Sequence, residues 1–94
     1  MIIDTIGEPA MLEQTAEEAI ELAHACLKLA RKLRAENPTP VSVEDAREVV
    51  ILEASDLEVC MIQLAKADWW SWSTMEWAMN YKQNRWEDRL HEHT

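Results

Sequence analysis

EEAIELAHACLKLAR, residues 17–31, decides the fold class. Its apolar residues recur every three or four positions, the period of one face of an α-helix. Extended in both directions, the same period holds from about Pro9 to about Ala35. The apolar side is read as Leu12, Ala16, Ala19, Ile20, Ala23, Cys26, Leu27, Ala30 and Leu33. Gly7-Glu8-Pro9 starts this helix, because proline suits a first turn and an acid suits the positive helix end. Residues 1–8 are read as a short lead-in. Lys28, Arg31, Lys32 and Arg34 gather at the other end, where cations oppose the helix dipole favourably.

Asn37-Pro38-Thr39-Pro40 stops the helix, since a residue before proline avoids helical angles and here that happens twice. Ser42 then opens a second helix, with Asp45 three residues on as a variant of the capping box. It runs to about Lys66, with Val49, Val50, Leu52, Val59, Cys60, Ile62 and Leu64 as its buried side. The short connection makes the two helices antiparallel neighbours. Asp68-Trp69-Trp70-Ser71-Trp72 follows. Ser73 and Glu76 are read as the cap of a third helix ending near Leu90, with Met75, Met79, Trp86 and Leu90 as its apolar edge. The tail 91–94 is expected to fray.

The fold class is all-α: one domain over residues 1–94, an antiparallel bundle of about three main helices. Ninety-four residues with one Gly and no Phe do not suit an all-β chain. So small a core gains stability by oligomerising, and a homodimer or homotetramer is expected. Asp and Glu number 18 against nine Lys and Arg, for a net charge of -9. That balance argues against direct binding to duplex nucleic acid or an anionic membrane, both of which call for a basic surface. No apolar run is long enough to span a bilayer, and the amino terminus lacks a secretory pattern. A cytoplasmic location is expected. The two cysteines, Cys26 and Cys60, are read as reduced core thiols; a bridge between them is the alternative.

Two acidic clusters interrupt these helices: Glu17-Glu18-Ala19-Ile20-Glu21, and Glu53-Ala54-Ser55-Asp56. With about 100° per residue, Glu18 and Glu21 are about 60° apart on the helix and Glu17 and Glu21 about 40°. Glu53 and Asp56 share a face in the same way. Two readings fit the spacing. Four solvated surface acids is the plain one. The other is convergence of Glu18, Glu21, Glu53 and Asp56 on one site, where their repulsion calls for a hard divalent cation. Oxygen-only ligands select Mg²⁺ or Mn²⁺.

The pattern E-E-x-x-E, a long gap, then E-x-x-D resembles the MazG-like all-α nucleoside triphosphate pyrophosphatases. Their relatives include dimeric dUTPases, dCTP pyrophosphatases and phosphoribosyl-ATP pyrophosphatases. EEAIELAHACLKLAR, NPTP and ILEASDLEVCMIQL carry the resemblance, which covers roughly residues 10–90. It implies Mg²⁺ ligation by Glu18, Glu21, Glu53 and Asp56, with Glu17 as a supporting base or additional ligand. It also implies that Asn80, Lys82 and Arg85 on the last helix reach the triphosphate, with Arg89 continuing their stripe. The implied reaction takes an NTP or dNTP and water to the monophosphate and pyrophosphate. The leader ahead of the first acid motif is shorter than in many relatives. The tryptophans around Trp70 either stack a base or pack a core or interface.

Two alternatives stand beside the hydrolase. One is a non-catalytic helical oligomer acting as an interaction module. The other is a di-iron or di-manganese carboxylate protein, for which Glu21-Leu22-Ala23-His24 offers the E-x-x-H spacing.

Overall fold

A computed structural model describes residues 1–36 and 40–92. These described residues form four α-helices: α1 Ile2–Ile6, α2 Glu8–Leu33, α3 Val43–Leu64 and α4 Trp72–Glu92. There is no strand among the described residues. The Asn37–Thr39 part of the predicted break lies outside them. Ser42 caps α3 as its sequence announces: the Asp45 backbone N–H donates to Ser42 Oγ at 3.0 Å.

The lead-in is itself a helix. Glycine 7, at φ +91°, forms the elbow between α1 and α2 in a region that glycine adopts most readily. The elbow folds Ile3 into the core with Met11, Cys60 and Leu64, and Trp70 packs against that group. Gln63 Oε1 accepts from the Ile3 backbone N–H at 3.2 Å, tying α1 to the end of α3.

Helices α2 and α3 make the main packing contact, and α1 touches both. The seam differs from the expected one. Along α2, Met11, Thr15, Glu18, Leu22, Ala25 and Leu29 are buried or half-buried. Each sits one residue before a predicted core position, so the packed face is rotated by about 100°. Leu12, Ile20, Leu27 and Leu33 are exposed instead. Along α3 the covered positions are Val43, Ala46, Val50, Glu53, Leu57, Cys60 and Leu64. Val49, Leu52, Val59 and Ile62 are exposed, against expectation. Both seams step by alternating threes and fours, the pattern of two helices packed side by side.

Helix α2 ends in a Schellman motif: the Glu36 N–H donates to Arg31 O at 3.0 Å and the Ala35 N–H to Lys32 O at 3.1 Å. Ala35 occupies the left-handed position, φ 57°, that glycine usually fills.

Helix α4 starts at Trp72, one residue before its predicted cap. Ser71, not Ser73, is the capping side chain: the Thr74 N–H donates to Ser71 Oγ at 3.1 Å. The expected apolar edge is largely uncovered, with Met75 half-buried and Met79, Trp86 and Leu90 exposed. Among the described residues, no α4 Cα lies within 8 Å of a Cα in another helix. The chain is accordingly extended, with a radius of gyration of 17.0 Å. A compact domain of this length has about 12 Å. No helix among the described residues is long and apolar enough to cross a membrane.

Candidate metal centre

Glu18 and Glu53 stand at seam positions of α2 and α3, in line with the residues that pack the hairpin. An antiparallel seam puts them at the same level. One carboxylate oxygen from each of Glu18, Glu53 and Asp56 lies within 4.8 Å of the other two. Glu18 and Glu53 are half-buried, and Asp56 is exposed at the edge.

Glu18 Oε2 and Glu53 Oε2 are both shielded from solvent with no hydrogen-bond partner. Shielded carboxylate oxygens without a donor are costly. Glu18 Oε1 accepts from Gln14 Nε2 at 2.8 Å. Burial pushes the Glu18 carboxyl above its ordinary value; the Gln14 amide opposes this, and the charges of Glu21 and Asp56 add to it. The same field reaches Cys60. Burial first, then the Glu18 charge, raises its thiol above the ordinary range, while a hydrogen bond with Thr15 opposes them.

A divalent cation fits this arrangement. The donors are all oxygen, two lack partners, and the set comes from two rigid helices. The three oxygens lie within 4.8 Å of one another; octahedral Mg²⁺ with bonds of about 2.1 Å holds adjacent ligands about 3.0 Å apart and opposite ones about 4.2 Å, so the side chains draw together to bind it.

The other candidate residues stand differently. Glu21 is exposed and lies beside Glu18, where its charge and a side-chain hydrogen bond are felt. Glu17 is exposed on the turn next to it. His24 is exposed and outside the carboxylate group, so α2 supplies no imidazole to it. Asn80, Lys82 and Arg85 are exposed on α4, and among the described residues no Cα of α4 comes within 8 Å of one in α2 or α3. A cleft of about 360 Å³ lies elsewhere, between Lys28, Arg31 and Lys32 of α2 and Val41, Ala46 and Val49 beside and on α3. Of the thiols, Cys60 is buried as expected and Cys26 is exposed; both are unbridged.

The sequence reading passed over Gln14 and Thr15, which flank the acids from the preceding turn. The signal was present: at alternating threes and fours, Glu18 falls in line with Met11, Thr15 and Leu22. Compared with known family models, curated proteins and solved structures, the chain matches none.

Proposed function

We propose that this chain is a Mg²⁺-dependent nucleoside triphosphate pyrophosphohydrolase, a MazG-like helical bundle working as a homo-oligomer, with Mn²⁺ as a substitute ion. One observation carries the reading. Carboxylates from two packed helices converge within 4.8 Å, and two of their shielded oxygens lack any donor. A cation satisfies both oxygens and cancels the mutual repulsion that a bare cluster would keep. Glu18, Glu53 and Asp56 are the holding residues, with Glu21 beside them. Mg²⁺, when bound, supplies Lewis acidity toward phosphate oxygens and makes a water easier to deprotonate.

Glu17, exposed next to the cluster, is the base that takes the proton from the attacking water. Water adds at the α-phosphorus, the bond to the bridging oxygen breaks, and pyrophosphate leaves. Asn80, Lys82 and Arg85 orient the triphosphate and offset charge gathering on the leaving group. Since α4 stands away from its own hairpin, they serve a site on another copy. A cation between acids and triphosphate also explains how a chain of net charge -9 takes so anionic a substrate.

The test is a panel of NTPs and dNTPs with Mg²⁺, followed by pyrophosphate release. Release with at least one nucleotide is expected, and Glu53→Gln should lower it by a factor of about 100 or more. No release from well-folded protein with any nucleotide removes the proposal. The exposed apolar stripes on α2 and α3 favour one second reading, a non-catalytic oligomer. A melting temperature indifferent to millimolar Mg²⁺ and Mn²⁺ selects that reading, because binding to the folded state alone must raise it.

A further inference from the structure

Nine lysines and arginines serve the whole chain, and three of them line one cleft beside the connection between α2 and α3. Lys28, Arg31 and Lys32 enter it from α2. The rest of the lining is apolar: Ala25, Val41, Ala46 and Val49. Ala25 is buried and forms the floor. On α2, Ala25, Lys28 and Lys32 fall within about 60° of one another, so the positive charge shares a face with that floor.

The helix dipole does not account for this placement. Its pull on cations fades within the last turn. Arg34, just past the end of α2, stands where the dipole favours a cation, yet it does not line the cleft. Lys28 stands more than a turn before Leu33 and does line it. Among the described residues, neither Lys28 nor Arg31 makes an ion pair. The acids at this end, Glu36, Glu44, Asp45 and Glu48, are exposed and outside the lining.

Size and chemistry narrow the occupant. About 360 Å³ is within the range of small-molecule sites, which pair apolar walls with a few placed polar groups. Two cations without a counter-charge match a group that carries two negative charges. A carboxylate offers one; a phosphate monoester offers close to two at neutral pH. The planar guanidinium of Arg31 can grip two phosphate oxygens at once. We propose that this cleft binds a small phosphate monoester with an aromatic or aliphatic body, the phosphate held by Arg31 and Lys28 and the body resting on Ala25, Val41, Ala46 and Val49. Lys28 is ten residues, about 15 Å, along α2 from Glu18, so this site is separate from the carboxylate cluster. It stands for a hydrolase and for a non-catalytic oligomer alike.

The experiment uses the full chain in buffer with a chelator, so that no cation on the carboxylates attracts phosphate. Titration calorimetry with α-naphthyl phosphate should show binding. Inorganic phosphate and α-naphthol each carry half of the chemistry and should bind at least about tenfold more weakly. Amide shifts of heavy-nitrogen protein should gather at residues 25–32 and 41–49. Arg31→Gln should weaken the ester at least about tenfold, and Lys28→Gln, a second variant inside the helix, should do the same. Arg34→Gln should change affinity less than about twofold, because a screened charge outside the cleft counts for little. Helicity by circular dichroism should be unchanged in all three. No binding at millimolar ester overturns the proposal, as does inorganic phosphate or α-naphthol binding equally well. Shifts that gather elsewhere overturn it, and so does an equal response to Arg31→Gln and Arg34→Gln.

Discussion

The α2–α3 hairpin and α4 are built from helices of similar length, 26 and 22 residues against 21. Both carry apolar residues at helical spacing, and α3 and α4 each begin at a serine cap. Yet the hairpin buries a seam along its length, while α4 buries no residue fully. Amphipathic pattern therefore says that a helix wants a partner, not that its own chain supplies one. For α2 and α3 the short connection supplies it. For α4 the Trp69–Ser71 elbow carries the chain away from the hairpin.

That contrast has measurable consequences. Met11, 2% exposed and in contact with the elbow helix and α3, should cost about 2–5 kcal/mol when cut to alanine, read by urea denaturation. Met79→Ala on α4 should cost under about 0.5 kcal/mol in a monomer. A cost comparable to that of Met11→Ala, falling as the protein is diluted, identifies Met79 as buried between copies. Adding Mg²⁺ at about 100 times its dissociation constant should stabilise the hairpin by about 2.7 kcal/mol. Glu53→Gln should remove most of that gain, as thermal melts can show.

A smaller effect concerns Ala35. Ala35→Gly relieves the left-handed alanine at the hairpin's open end and should stabilise by about 1 kcal/mol, seen as a rise in the urea midpoint. The last expectation is one of direction. Glu18 holds its proton more tightly folded than unfolded, so the folded state binds more protons across the window above the ordinary value of 4.5. Metal-free stability should therefore fall as pH rises through that window. Glu18→Gln should flatten this limb of the melting-temperature profile, and a profile identical to that of the parent chain would contradict the assignment.

How much of this was legible in the sequence depends on the size of the side chains. The three long helices and the Ser42 cap were readable, because periodicity and cap chemistry are local. The packed face of α2 was not. Ala16, Ala19 and Ala23 make one stripe look apolar, while the true seam includes Thr15 and Glu18. Hydrophobicity alone passes over a seam whose polar members hold a site. Helix α1 escaped notice because five residues give too little of any period, and only the Gly7 elbow shows why Ile3 points inward. The acid pair Glu18 and Glu53 was readable as a pair; that they alone sit on the seam, with Glu17 and Glu21 outside it, needed the hairpin's register.

The two thiols give the chain a ready-made optical reporter. Cys60 is buried, and that burial, helped by the charges of Glu18 and Asp56, raises its thiol above the ordinary range, whereas Cys26 is exposed on the uncovered stripe of α2. Alkylating reagents attack the thiolate, so a maleimide dye attaches at one position without any engineering. Its brightness and labelling rate then register whatever comes to rest on that side of the hairpin.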